Sequence, residues 1–179
     1  MIMLAPQQPG VSLSALLAAK EQRAHRQQSW LARHHAPLIS LTLVTPGSVK
    51  DSIQYRNLMG VALVACDQLL WQHRWPVLAR EVNWLDTGAE ALWSVDHNAA
   101  ELKASCVALE QEHPLGRLWD FDVFDPDIGQ IGRHSLDRAG RRCLICGEPA
   151  HACARSRRHP VEQVVAEVEK RIDDWFTRD

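Results

Sequence analysis

The sequence predicts an α+β fold, a mixed or antiparallel sheet with packed helices. Three observations carry this. Amphipathic stretches of helical period stand near both ends, at 12–35 and 160–177. Short apolar or alternating runs between them stop at turn-forming residues, as hairpin strands do. Helical and strand periods alternate irregularly along the chain, without the regular β-α-β order of a parallel sheet. The 179 residues, 46% hydrophobic and 23% charged, suit one domain spanning 1–179, and at this size about 70% of the unfolded surface is buried without help from disulfides.

The first helix is expected from Ser12 to about His35, with Leu13, Leu16, Leu17, Ala24 and Leu31 on one side, basic residues outside and Pro37 beyond it. Leu38 to Val44 is an apolar strand former stopped by Pro46-Gly47, and reads as a central strand. Asp51 to Gln72 is apolar nearly all round, which predicts a helix crossing the core between layers. Val77–Leu85 and Ala89–Val95 flank Asp86-Thr87-Gly88 as a hairpin. Asn98 caps a helix to Glu112, ended by Pro114. Leu118 to Phe124 alternates, Trp119, Phe121 and Val123 on one side and Asp120 and Asp122 on the other. Gln130–Ser135 is a possible return strand, 138–159 a loop or small appended element, and Val161–Phe176 a final amphipathic helix opened by Pro160.

A formal charge of −2 excludes the basic excess that drives non-specific binding to nucleic acid or anionic membrane. No run approaches the roughly 20 apolar residues of a membrane span, and the first residues lack a signal-peptide pattern, so the cytoplasm is the expected location.

Two segments suggest chemistry. Asp120 and Asp122, at i and i+2 of a strand, project from one face and repel unless a cation lies between them. A hard divalent ion such as Mg²⁺ is the natural partner, and the bland alternative is a solvated acidic edge. Farther on, Cys143-x-x-Cys146 with Cys153 and His159 offers three thiolates and an imidazole, enough for a closed zinc site. The same residues also read as buried or free thiols. From Arg133 to His159 there are 7 Arg against 2 acids. The guanidinium fork suits phosphate oxygens, and an acidic strand followed by arginines is what a polyphosphate substrate would require.

His113-Pro114-Leu115-Gly116-Arg117-Leu118-Trp119-Asp120-Phe121-Asp122-Val123, with Arg133, Arg141-Arg142-Cys143-x-x-Cys146, Ala152-Cys153-Ala154-Arg155 and His159, closely resembles the signature of the holo-citrate lyase acyl carrier protein synthases, or apo-citrate lyase phosphoribosyl-dephospho-CoA transferases. Lys50-Asp51-Ser52 and Arg56 extend the resemblance. It implies a nucleotidyl-type transferase, with a nucleotidyltransferase-like fold, that moves phosphoribosyl-dephospho-CoA from its triphosphoribosyl precursor to a serine of the apo acyl carrier subunit of citrate lyase, releasing pyrophosphate. Asp120 and Asp122 would be catalytic and hold Mg²⁺. Gly116, Arg117, Arg133, Arg141, Arg142 and Arg155 would bind substrate, and Arg56 either substrate or a structural carboxylate. Glu81, Asp86 and Glu90 are candidates for a third carboxylate, and His113 for a base or a helix cap. Arg23, Arg26 and Arg33 offer a basic face for an acidic carrier. The competing reading is a zinc-stabilised nucleic-acid-binding module, which leaves the acidic strand unexplained.

Overall fold

The computed structural model describes residues 9–132 and 140–178. Serine and asparagine caps start the first three helices. Ser12 accepts from the Ala15 amide to open α1 (Leu13–His34), Ser52 from Tyr55 to open α2 (Ile53–Gln72), and Asn98 from Ala100 and Glu101 to open α3 (Ala99–Glu112). The strands are β1 (Leu38–Leu43), β2 (Val77–Asn83), β3 (Glu90–Val95), β4 (Trp119–Asp125) and β5 (Gly129–Ile131). A 3₁₀ turn (Gly116–Leu118) leads into β4, and α4 (Ala150–Ser156) and α5 (Val161–Phe176) close the chain.

The sheet runs β2-β3-β1-β4-β5, every pair antiparallel. This is the predicted α+β class with β1 central. Strand alternation divides the core in two. Ile39, Leu41, Trp93, Trp119, Phe121 and Val123 turn toward α2, α3 and α5. Leu38 and Leu92 turn the other way and pack on Trp30 of α1.

Two expectations change. The α2 helix covers one face of the sheet instead of crossing between layers: Leu58, Met59, Ala62 and Cys66 are fully buried, but Ile53, Val64 and Trp71 are exposed. Its apolar outer side lines a groove of about 700 Å³ with Leu109, Trp175 and Phe176. The return strand is shorter and earlier than Gln130–Ser135, pairing only Val123–Asp125 with Gly129–Ile131; residues 133–139 lie outside the described residues. Of the two readings of 138–159, a loop or a small appended element, the described part fits the second: it contains α4, opened at Pro149.

Because the described β5 is short, the outer edge of β4 at Trp119–Phe121 has no strand beside it among the described residues. Side chains take its place: the Phe121 amide donates to Glu110 Oε1 at 2.8 Å, and the Phe121 carbonyl accepts from Lys103 Nζ at 2.6 Å. The Trp119 carbonyl accepts from Arg141 Nη2 at 3.0 Å. Buried main-chain groups need partners, and α3 and Arg141 supply them.

Candidate active site

The alternation of β4 buries Trp119, Phe121 and Val123 and turns Asp120 and Asp122 to the α1 face. Antiparallel pairing with β1 sets Thr42 beside Asp120 and Ser40 beside Asp122. Asp122 is largely withdrawn from solvent; burial, then the charge of Asp120, raises its carboxyl above the ordinary carboxylate range, and Gln130 Nε2 donates to it at 2.9 Å. Asp120 is more open and accepts from Arg141 Nη2 at 2.7 Å. The same guanidinium reaches Glu110 Oε1 at 3.0 Å, so Arg141 ties the acidic pair to α3.

A cavity of about 310 Å³ opens beside Thr42, the β1 partner of Asp120, and carries Lys20, Arg23 and Lys50 on its walls. Burial first, and then the charge of Lys20, lowers the Lys50 ammonium below its usual value. Glu90 on the same wall pairs with Arg23, which leaves Lys20 and Lys50 as the like charges in a partly dry cavity, an arrangement that suits an anion. Sequence reasoning missed this basic wall. Lys50 was visible only within a resemblance, Arg23 read as a docking residue, and Lys20 carried no signal, because α1 and the segment before α2 meet around this cavity only in the folded protein.

Of the third-carboxylate candidates, Glu90 is buried on the α1 face and paired with Arg23 Nη1 at 3.1 Å and with Arg26. These two arginines of the expected docking surface therefore join α1 to the sheet; Arg33 lies in the last turn of α1. Glu81 is exposed and accepts from Asn83, and Asp86 lies between β2 and β3.

The other predicted residues disperse. Arg56 makes a two-pronged pair with Asp51 at 2.8 and 2.6 Å, the structural-carboxylate alternative. Arg117 Nε donates to the Arg142 carbonyl at 2.9 Å, and Arg142 Nη1 to that of Gly147 at 3.0 Å, so both bind main chain. Arg155 is exposed on α4, and Arg133 lies outside the described residues. Gly116 is buried where the 3₁₀ turn crosses the end of α3. His113 caps α3 on the face of the sheet opposite the aspartates, its ring near Trp119 and Trp175. Cys143, Cys146, Cys153 and His159 converge, their ligand atoms all within 4.8 Å of one another.

Comparison with known proteins bears on this arrangement. Residues 11–175 match the family model described as apo-citrate lyase phosphoribosyl-dephospho-CoA transferase. A protein of that name from Escherichia coli O1:K1 / APEC is 35% identical over 164 residues, 92% of this chain and 90% of its own. A Vibrio cholerae serotype O1 (strain M66-2) protein named as a probable apo-citrate lyase phosphoribosyl-dephospho-CoA transferase is 40% identical over 166 residues, 92% and 93% of the two chains.

Proposed function

Because the chain belongs to the apo-citrate lyase phosphoribosyl-dephospho-CoA transferase family, we propose that it moves that prosthetic group from 2'-(5''-triphosphoribosyl)-3'-dephospho-CoA to a serine of the apo acyl carrier subunit of citrate lyase. The observation that carries the reading to particular residues is the acidic pair beside a basic cavity on one sheet face. In the reaction the serine oxygen forms a bond to the α-phosphorus. The bond from that phosphorus to the bridging oxygen breaks, pyrophosphate leaves with the electron pair, and the serine proton passes to solvent or a base. Such a transfer needs positioning and charge neutralisation more than covalent help.

Lys20 and Lys50 would grip the departing phosphates and hold the α-phosphorus near β4, with Arg23, held by Glu90, on the same wall. Arg141, already on Asp120, would orient that carboxylate and face the same oxygens. Asp120 and Asp122 fit a hard divalent ion: the donors are oxygen, they share a face, and a cation would offset the burial and the Asp120 charge that raise Asp122. Mg²⁺ held there would supply charge neutralisation at the α-phosphate and leaving-group oxygens. The cytoplasm, where free carrier and reduced thiols coexist, is the setting of this reading. A zinc-stabilised nucleic-acid binder would leave the acidic pair without a task, and is not adopted.

Intact-mass analysis of the apo carrier, incubated with this protein, Mg²⁺ and the triphosphoribosyl precursor, tests the reading. One prosthetic-group adduct per carrier is expected, with Asp122→Asn slowing its formation at least about 100-fold, the scale of losing a positioned charge. The variant should also melt higher than the parent at neutral pH, since its neutral amide removes a charge that burial and Asp120 disfavour. Undiminished transfer by the variant would remove the acidic pair from the mechanism. No adduct from folded wild-type protein would overturn the proposed function.

A further inference from the structure

We propose that Cys143, Cys146, Cys153 and His159 form a structural zinc site that pins the arginine segment against the acidic strand. The geometry starts from the turn between the first two cysteines. The Ile145 amide approaches Cys143 Sγ at 3.5 Å, and Gly147, directly after Cys146, takes φ +71°, a left-handed conformation that glycine adopts at no steric cost. The Cys143 amide donates to the Glu148 carbonyl at 2.6 Å, Ala150 to Arg141 at 2.9 Å, and Arg142 bridges Pro149. The result is a closed knuckle with two sulfurs on one side.

The α4 helix begins at once and brings Cys153 round one turn later, its Sγ 3.5 Å from that of Cys146. The helix stops at Arg157, which has φ +49°, and the chain returns so that His159 Nε2 lies 3.3 Å from Cys146 Sγ. Zinc–sulfur bonds of about 2.3 Å in a tetrahedron separate sulfurs by about 3.8 Å. The 3.5 Å between the Cys146 and Cys153 sulfurs and the 4.8 Å upper bound for the whole set bracket that edge length.

Burial separates this cluster from cysteines used as small apolar filling. Cys66 and Cys106 are fully buried in the main core. Cys146 is exposed, and Cys143 and His159 are only partly covered, so packing does not account for four convergent ligands. The segment from 140 to 159 has almost no core of its own: Cys153 is its one buried residue, and Leu144 is partly buried against the main core. An element this small needs a clip. Three thiolates around Zn²⁺ carry a net charge of −1, which the neighbouring Arg142, Arg155, Arg157 and Arg158 offset. Four protein ligands leave no open position, so the metal is structural and not hydrolytic.

The clip has a mechanical consequence. Arg141 and Arg142 directly precede the first ligand and contact Asp120 and Arg117 (the latter through the Arg142 carbonyl), while Pro160, after the last ligand, opens α5. Zinc would thus fasten both ends of the segment to the body of the protein; the claim that this positions Arg141 for catalysis rests on the proposed transferase function, whereas the metal site does not.

The test uses the full-length protein prepared under reducing conditions. About one zinc per chain should survive desalting, by elemental analysis, and Co²⁺ in its place should show the intense d–d and sulfur charge-transfer absorption of a tetrahedral thiolate site. Cys146→Ser and Cys153→Ser should each lose the bound metal; Cys66→Ser, remote from the cluster, should keep it. Chelation of the wild type should open the Arg141–Arg158 stretch to trypsin while the rest stays resistant. Zinc-free reduced protein that does not take up added zinc, equal retention in both cluster variants, or a native Cys146–Cys153 disulfide would overturn the site. None of these readouts depends on transfer activity, so this inference and the proposed function fail separately.

Discussion

A β-carbon at Gly116 would lie 2.5 Å from the Glu110 carbonyl oxygen and 2.7 Å from that of Leu109. Both are main-chain atoms at the end of α3 and cannot swing aside, so this glycine serves the close crossing of turn and helix. Gly116→Ala is expected to cost about 2–3 kcal/mol, a fall in Tm of roughly 4–12 °C for a chain of this size. An unchanged melting curve would mean that the turn relaxes freely. His113 is the second residue whose environment decides its role. Its Nδ1 accepts from the Leu115 amide at 3.0 Å, its ring centroid is 4.4 Å from that of Trp119, and burial holds its pKa below the ordinary histidine value. The sign follows. A group whose folded pKa is depressed lends stability that is complete above the unfolded value, near 6.5, and is lost as pH falls through the folded value. Wild-type Tm should therefore decline below about pH 6.5 more steeply than that of His113→Asn, whose amide oxygen can still accept from Leu115. Parallel Tm–pH curves would refute a buried neutral imidazole.

On α3, Lys103 and Glu110 stand two turns apart on one helix face and bracket a single residue of β4, Phe121. Lys103→Met should leave the Phe121 carbonyl unpaired at about 1–3 kcal/mol, read as a lower urea midpoint with unchanged m-value. An unaltered midpoint would show that water serves the edge equally well. These two residues mark where sequence legibility ends at this scale. Helical period revealed the apolar face of Leu102, Cys106 and Leu109, yet the buried face of α3 also takes in Lys103 and Glu110, because a bare strand edge needs charge and hydrogen bonds where a core needs hydrocarbon. The α2 helix shows the converse. Its all-round apolar pattern predicted enclosure, but only its inner half meets the sheet, and no local pattern distinguishes an enclosed helix from one whose outer side lines a groove. Elements with a clear period and a capping residue were legible within a residue or two.

Across the whole molecule, the acidic pair and the cysteine cluster were legible because each is local: two carboxylates on one strand, four ligands within seventeen residues. The basic wall was not, since Lys20, Lys50 and Thr42 come from separate parts of the chain and share one cavity only in the folded protein, with Thr42 alone pairing Asp120 across the β1–β4 register. That register has a temporal consequence. Leu38 pairs on one side with Ser94 and on the other with Phe124, so β1, made early, gains its second neighbour only after α3 and the 3₁₀ turn have been made. Contacts so distant along the chain are slow to form. Until β4 arrives, the nascent half-sheet offers β1 as an open edge for pairing with other chains. The event that closes that edge is the same one that sets Asp120 beside Thr42 on the cavity wall, so a chain that has not finished folding lacks the centre proposed above.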